Sequence, residues 1–193
     1  RLAKPRLVLG EMHLGGGSPT YLPAGVLDRL LDGVLQHYIV GAQADLAIEV
    51  DPRNTTREQL QVLRRHEFKR LSIGVQDLDP RVLEIVNRTQ SETEVRTLVD
   101  TARELGFASI SFDLIYGLPL QTTDSLRTTF DVVTLLQPER ISFLPYAHVP
   151  WIKPSQRRYT EADLPEAAPR QQLFAVGREC MAQSVGVPEE PPH

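Results

Sequence analysis

Cysteine is nearly absent from this sequence, since Cys180 is the only one in 193 residues. A single thiol excludes an internal disulfide and any zinc or redox site of the Cys-x-x-Cys type. Such cysteine usage is typical of a reducing compartment, and the simplest interpretation is a cytoplasmic protein. Cys180 lies midway along an expected helix, where we predict that it is a small, buried apolar side chain.

Long apolar runs and an excess of positive charge are also missing. No hydrophobic run approaches about 18 residues and no signal peptide is visible, so the sequence predicts no membrane segment. The formal net charge of −4 argues against a nucleic-acid-binding protein that depends on phosphate contacts. There is no Ser-His-Asp spacing and no His-x-x-x-His zinc pattern, so neither a hydrolytic triad nor a zinc site is predicted.

What the sequence does contain is an alternation of apolar strands and amphipathic helices, in a length suited to one domain. Strands are predicted at residues 6–14, 45–50, 70–75, 108–115 and 140–144. Helices are predicted at residues 23–38, 55–66, 80–86, 91–105, 123–136 and 166–184. The strands are nearly continuously apolar, as expected for strands that are covered on both faces. The alternation predicts an α/β protein built from parallel βα units.

Two architectures fit these units, a doubly wound open sheet and a (β/α) barrel, whole or partial. No predicted strand is followed by Gly-x-Gly-x-x-Gly or by a phosphate-binding lysine motif, which favours the barrel. Capping boxes are indicated by Thr55-x-x-Glu58 and Ser91-x-x-Glu94. Helix 23–38 carries apolar residues at three- and four-residue spacing, which predicts a buried stripe. The stripe consists of Val26, Leu27, Leu30, Leu31, Val34, Leu35 and Tyr38.

Glycines and carboxylates follow the predicted strands at their carboxyl ends, where ligands bind in both architectures. Gly15–Ser18 leave the backbone open to a ligand after the first strand, although they also suit a simple tight turn. Glu49 and Asp51 share one side of the second strand end. Each is interpreted as a general base, a metal ligand or a ligand-binding acceptor, or else as a cap or salt bridge. Asp113 lies in an apolar strand, where an unpaired carboxylate is costly, so we expect a ligand or a cationic partner.

Further candidates lie in loops. Arg88 precedes a helix and is either a solvated cation or a partner for a ligand carboxylate. His148 follows the last strand and is either an acid–base group or a structural residue. A basic and aromatic patch consists of Trp151, Lys153, Arg157, Arg158 and Tyr159. This patch suits a substrate with several carboxylates, and it equally suits a solvated loop.

Six blocks of the sequence occur in order and at consistent spacing over residues 6–183. The blocks are His13–Leu22, Ile48–Pro52, Arg70–Asp77, Val86–Gln90, Asp113–Pro119 and Tyr146–Pro150. Together they resemble the oxygen-independent coproporphyrinogen III oxidases (coproporphyrinogen dehydrogenases), which are radical S-adenosylmethionine enzymes of haem biosynthesis. The resemblance implies part of a (β/α)₆, TIM-like barrel around a four-iron four-sulfur cluster and two S-adenosylmethionine molecules.

The resemblance also implies an activity. In that family a 5′-deoxyadenosyl radical abstracts hydrogen from a propionate, and loss of carbon dioxide and an electron leaves a vinyl group. Two such steps convert coproporphyrinogen III to protoporphyrinogen IX, with an electron donor for the cluster as a further partner. By position in the blocks, Gly16 and Glu49 would hold the cluster-bound S-adenosylmethionine. The second molecule would be lined by Gly17, Ser18, Gln76, Arg88, Asp113 and Ala147. No catalytic residue for the porphyrinogen is assigned.

Two departures from the family bear on this hypothesis. The Cys-x-x-x-Cys-x-x-Cys motif expected before the first strand is absent, Cys180 cannot replace it, and no metal ligand is predicted. The Pro/Glu-rich tail at 186–193 is interpreted as disordered or foreign. The sequence is therefore interpreted as an oxidase fragment with its core at 1–185, monomeric and inactive in isolation. The alternatives are a haem-binding chaperone of the same superfamily, which Tyr146–Pro150 disfavours, and a stand-alone adenosyl-binding module.

Overall fold

A computed structural model describes residues 6–184 of the chain. Strands and helices alternate along it. The strands are β1 (Leu7–Leu14), β2 (Tyr38–Val50), β3 (Arg70–Gln76), β4 (Ser109–Tyr116) and β5 (Arg140–Pro145). The α-helices are α1 (Ala24–Leu35), α2 (Arg57–Arg65), α3 (Pro80–Ile85), α4 (Glu92–Glu104), α5 (Thr123–Leu136) and α6 (Ala167–Ser184). Short 3₁₀ helices lie at Pro19–Tyr21, Pro154–Arg158 and Glu161–Asp163.

The five strands form one sheet in the order β1-β2-β3-β4-β5. β1 pairs in parallel with β2, and β2 with β3, so that Glu11 lies opposite Asp45 and Glu49 lies opposite Ser72. Each strand therefore neighbours the next one in the chain, without the reversal of order that a doubly wound sheet contains. This confirms the predicted α/β class and the parallel βα units of a partial barrel. Within residues 6–184, no helix is both long and apolar enough to cross a membrane.

The chain divides into two compact units. Of the described residues, the first unit contains 6–75, 93–113 and 139–141, and the second contains 76–92, 114–138 and 142–184. The predicted core domain at 1–185 is not tested by this division and stays a prediction. The proposed tail at 186–193 lies outside the described residues.

The core of the first unit lies between the sheet and its helices. Alternate residues of β3 and β4 are buried, because successive side chains of a strand point to opposite faces. The buried ones are Leu71, Ile73, Val75, Ile110 and Phe112, whereas their strand neighbours are only partly covered. The expectation of strands covered on both faces therefore holds for the middle of β2 but is wrong for β3 and β4. Their second face is polar and open.

The predicted first helix is three residues too long. α1 ends at Leu35, and Tyr38, which was assigned to its stripe, begins β2 instead. The reason is that Tyr38 pairs with Leu7, so the segment before residue 45 extends the sheet. Of the stripe, Leu27 and Leu31 are fully buried, while Leu30 is 45% exposed.

The capping of α2 also differs from the prediction. Thr56 is the N-cap, and it forms a capping box with Gln59 rather than the predicted Thr55 and Glu58. The Thr55 hydroxyl is engaged elsewhere, because it donates to the carbonyl of Asp51 at 2.8 Å. A shift of one residue leaves the cap chemistry intact, since threonine and glutamine fulfil the same roles.

The second unit is held together by aromatic packing. α5 has the predicted bounds and ends where Gln137 adopts a left-handed conformation, with φ of +48°. The ring of Phe143 on β5 lies 4.8 Å from that of Tyr116 and is stacked on Phe174 of α6. A Cβ atom on Gly177 of α6 would overlap the Phe143 ring, so the helix can approach the strand only with glycine there.

Cys180 corrects a further prediction. It lies on α6, as expected, but its side chain is partly exposed rather than buried. Partial burial raises the pKa of its thiol, which keeps it protonated at neutral pH.

Candidate functional site

Glu49 lies at the carboxyl end of β2 and meets the end of the neighbouring parallel strand. Its side chain is 44% exposed. Nε2 of His13 lies 3.3 Å from Oε1, and the backbone N–H of Gly16 donates to Oε2 at 3.2 Å. A Cβ on Gly15 would lie 2.6 Å from Oε1, so this approach of carboxylate and backbone depends on glycine. The carboxylate is thus oriented by long, weak contacts and keeps room for another donor.

The glycine segment beside Glu49 is open. Gly16 has a φ of +94°, a conformation that favours glycine. Apart from their chain neighbours, no heavy atom of residues 6–184 lies within 4 Å of a Cβ built on Gly16 or Gly17. A ligand can therefore approach the main chain here without meeting a side chain. An open backbone edge next to an acceptor carboxylate can take a ligand that carries an ammonium group or hydroxyls.

The segment after the glycines is held by hydrogen bonds with Thr55 and Gln59. Ser18 Oγ lies 3.2 Å from Thr20 Oγ1, and Thr55 Oγ1 lies 2.9 Å from that same atom. The buried Gln59 side chain donates to the carbonyls of Thr20 and Leu22 at 2.6 and 2.7 Å. Sequence reasoning missed this support. The sequence signal for it was Thr56-x-x-Gln59, whereas the prediction placed the capping box at Thr55 and Glu58.

Asp51, the second candidate on the β2 side, has a structural role. It forms a bidentate pair with Arg53, whose Nη2 lies 2.6 Å from Oδ2. It also accepts the backbone N–H of Arg53 at 3.0 Å. The hydrogen bond to Asp51 raises the pKa of Arg53. The salt-bridge alternative is therefore the correct one for Asp51.

Asp113 lies on the polar face of β4 and is half-buried. Ser72 Oγ on β3 donates to its Oδ2 at 2.9 Å. β4 is buried on one face only, and Asp113 belongs with Ser72 to the open face, where the expected ligand stays a prediction. A serine therefore provides a partner for the carboxylate, which stays accessible to a ligand.

The same face carries charges closer to the amino ends of the strands. Arg70 forms an ion pair with Asp45, and Glu11 is the register partner of Asp45 on β1. Ser72 is likewise the register partner of Glu49. Because paired residues of parallel strands point to the same side, these groups share one polar surface in the first unit.

Gln76, Arg88 and Ala147 lie in the second unit. Gln76 has a φ of +66°, which is strained for a residue other than glycine and is a feature that clusters at functional sites. Arg88 Nε donates to Gln90 Oε1 at 3.1 Å. Ala147 is exposed, and its carbonyl accepts from Gln156 at 3.1 Å.

Asp77, next to Gln76, is a carboxylate that sequence reasoning did not single out. It is completely buried. It accepts the N–H groups of Leu78 and Asp79 at 2.6 and 2.8 Å, the Thr129 hydroxyl at 2.8 Å and the Gln121 amide at 2.6 Å. Burial raises the pKa of Asp77, and these four donors act in the opposite direction.

His148 lies in an aromatic cluster after β5. Its ring is 5.4 Å from that of Tyr159 and 6.3 Å from that of Tyr146, measured between centroids. The two tyrosine hydroxyls are hydrogen-bonded, and burial together with this bond raises the pKa of Tyr146. Nδ1 of His148 is buried without a hydrogen-bond partner among the described residues.

The predicted ligands therefore fall into two groups. Gly16 and Glu49 are in direct contact, and the first unit also contains Gly17, Ser18 and Asp113. Across residues 6–184, no cluster of three or more His, Cys, Asp or Glu side chains could hold a metal ion.

Comparison with known proteins identifies the family. The family model of the Radical SAM superfamily matches residues 1–133, which is more than half of the chain. The chain belongs to the radical SAM superfamily. Membership implies S-adenosylmethionine and an iron–sulfur cluster as cofactors.

Several curated relatives of this radical SAM chain carry the same name. This chain is 44% identical over 165 residues to the oxygen-independent coproporphyrinogen III oxidase of Escherichia coli K12, and the match covers 86% of this chain and 36% of that protein. It is also 44% identical over 173 residues to that of Pseudomonas aeruginosa PAO1, covering 89% and 37%. The chain thus spans little more than a third of these relatives' length.

Comparison with solved structures also finds coproporphyrinogen III oxidase. The coproporphyrinogen III oxidase from Escherichia coli, a radical SAM enzyme, superimposes with a TM-score of 0.87 at 40% identity, over 92% of this chain and 41% of that one. Elp3 from Methanocaldococcus infernus matches at a TM-score of 0.66 and 14% identity, over 89% and 45%, which shows a shared fold only.

Proposed function

We propose that this chain is the S-adenosylmethionine-binding core of an oxygen-independent coproporphyrinogen III oxidase. The observation that carries the proposal is the open Gly16–Gly17 backbone next to the Glu49 carboxylate. This arrangement occurs within a chain 44% identical to enzymes of that name. The Tyr146–Pro150 segment supports the oxidase over a haem chaperone.

The residues would act by binding and orientation. Glu49 accepts hydrogen bonds from an ammonium group or ribose hydroxyls, and the glycine edge binds through its main chain. Asp113, in the first unit, would accept from hydroxyl groups, and Arg88, in the second unit, would pair with a carboxylate. When bound, S-adenosylmethionine supplies the means to abstract hydrogen from a propionate side chain. The protein positions the reactive groups and excludes side reactions.

The iron–sulfur cluster does not fit the residues of this sequence. Cys180 is its only cysteine, whereas a cluster of this type needs three cysteine ligands or more. We therefore propose that these 193 residues bind S-adenosylmethionine but do not oxidise the porphyrinogen by themselves. The electron donor, the monomeric state and the cytoplasmic location stay predictions.

A chimaera tests the proposed activity. The matched region of the Escherichia coli oxidase is replaced by residues 7–184 of this chain, and anaerobic conversion of coproporphyrinogen III is followed by chromatography. We expect protoporphyrinogen IX from the chimaera and none from the same chimaera with Glu49→Ala. A folded chimaera with full iron content that binds S-adenosylmethionine but makes no product would overturn the proposal.

A further inference from the structure

The loop of residues 149–158 exposes large apolar side chains. Trp151 is 71% exposed and Ile152 is 69% exposed. Leaving two neighbouring side chains of this size exposed to water forgoes the free energy that their burial would contribute. We refer to residues 149–158 as the tryptophan loop.

Hydrogen bonds to the loop backbone fix the conformation in which Trp151 and Ile152 are exposed. Gln156 is 7% exposed and accepts the N–H of Val149 at 2.5 Å while donating to the carbonyl of Ala147. The Val149 carbonyl in turn accepts the N–H groups of Ile152 and Lys153, both at 2.9 Å. The backbone is therefore hydrogen-bonded on both sides of Trp151, and the apolar side chains are displayed on an ordered turn.

The loop is also strongly basic. Lys153, Arg157 and Arg158 are all exposed, and residues 149–158 contain no acidic side chain. This concentration of positive charge contrasts with the net charge of −4 for the whole chain. Arg157 is oriented by a bond from its Nε to the Pro150 carbonyl at 3.0 Å.

The basic side of the loop is joined to the segment that carries Arg88. Nη1 of Arg158 donates to Oδ1 of Asn87 at 2.7 Å. At the base of the loop is Ala147, and both Arg88 and Ala147 are among the proposed cofactor ligands. The tryptophan loop is thus continuous, within the second unit, with residues assigned to the site.

We propose that the tryptophan loop recognises the substrate, a macrocycle with several carboxylate side chains. Trp151 and Ile152 contact the apolar macrocycle, while Lys153 and Arg157 pair with propionate carboxylates. Charge complementarity selects this ligand, because it combines an apolar face with multiple negative charges. The inference rests on the proposed function and extends it to residues outside the cofactor ligands.

The sequence contains a single tryptophan, so Trp151 is a built-in probe. Coproporphyrin III, the oxidised macrocycle with the same carboxylates, is titrated into the 193-residue chain, and the quenching of Trp151 fluorescence is measured. We expect saturable quenching that weakens as salt is raised, since exposed charges are screened. The visible absorption of the porphyrin reports total binding independently.

The test variant is Lys153→Gln with Arg157→Gln. We expect its dissociation constant to rise about tenfold, because each exposed ion pair contributes modestly. The matched control is Arg29→Gln with Lys69→Gln, which removes two exposed cations from the first unit and should leave the constant unchanged. Unaltered circular dichroism and unaltered Trp151 emission without ligand show that the variant loop is intact.

Three results would overturn the inference. These are equal affinity of the test variant and the wild type, porphyrin binding without quenching of Trp151, and no porphyrin binding at all. Each leaves the proposed function standing if the chimaera makes product. Conversely, quenching by porphyrin together with an inactive chimaera would contradict the oxidase proposal and not the binding surface.

Discussion

Two carboxylates near the carboxyl ends of neighbouring strands differ in burial and in how many hydrogen bonds the protein gives them. Glu49, at the end of β2, is 44% exposed and is held by two contacts of 3.3 and 3.2 Å. Asp77, just after β3, is fully buried and accepts four hydrogen bonds of 2.8 Å or less. Asp77 has its acceptor capacity filled by the fold, whereas Glu49 keeps capacity for a ligand.

Position at a strand end alone therefore does not identify a carboxylate that binds a ligand. We expect the number and the length of its hydrogen bonds within the protein to identify it. A filled, buried carboxylate stabilises the structure around it, and a half-filled, exposed one contributes little to stability.

Removing Asp77 should destabilise the protein most. In Asp77→Ala, the Thr129 hydroxyl, the Gln121 amide and two backbone N–H groups lose a buried acceptor. We expect the free energy of unfolding to fall by about 3 kcal/mol, measured by urea denaturation. Glu49→Ala, as the matched control, should change it by less than about 0.5 kcal/mol. Equal losses in the two variants would abolish the proposed distinction.

Neutralising Glu49 should instead affect binding. In Glu49→Gln the charge that accepts from an ammonium group is lost, and we expect the affinity of the chain for S-adenosylmethionine to fall about thirtyfold. Calorimetric titration measures the change. Glu104→Gln removes an exposed carboxylate of the same unit, paired with Arg57, and should bind like the wild type. An unchanged affinity for Glu49→Gln would remove Glu49 from the site.

Asp77 should make stability depend on pH in a defined direction. Its pKa is raised on folding, so the folded state binds the proton more tightly than the unfolded state. Its contribution is therefore fully present below the unfolded pKa of about 3.9 and declines as pH rises through the folded value. Urea midpoints at several pH values should show the wild type losing stability relative to Asp77→Asn, by at most about 1.4 kcal/mol per pH unit. A difference that is constant or grows with pH would contradict this assignment.

The smallest effect is expected at Gly15. An added Cβ would press against the Glu49 carboxylate, which is flexible and half-exposed and so would move away from His13 and Gly16. Gly15→Ala should therefore weaken S-adenosylmethionine binding about fivefold, a loss of about 1 kcal/mol, with little change in stability. Gly10→Ala is the control, since in the described part of the chain only its own neighbours come within 4 Å of its Cβ position. Tighter or equal binding by Gly15→Ala would show that the close approach has no role.

Sequence reasoning could predict the order of strands and helices, because hydrophobic periodicity is local. It gave the bounds of α5 correctly but extended α1 to Tyr38, since pairing with Leu7 is a long-range contact. It singled out Glu49 as a candidate ligand, which stays a prediction, but not Asp77, whose partners Thr129 and Gln121 are 52 and 44 residues away. Both carboxylates lie near the carboxyl end of an apolar strand in the sequence. Only the folded chain shows which of them is already satisfied.

Gly177 has a consequence for mutational tolerance. It lies on a helix, where alanine is usually the better residue, yet any side chain would overlap the Phe143 ring. In a saturation scan, Gly177 should therefore tolerate substitution poorly, although it is none of the proposed ligands. Intolerance at this position would report the closeness of a helix to a strand, so a map of sensitive positions alone would overstate the extent of the functional site.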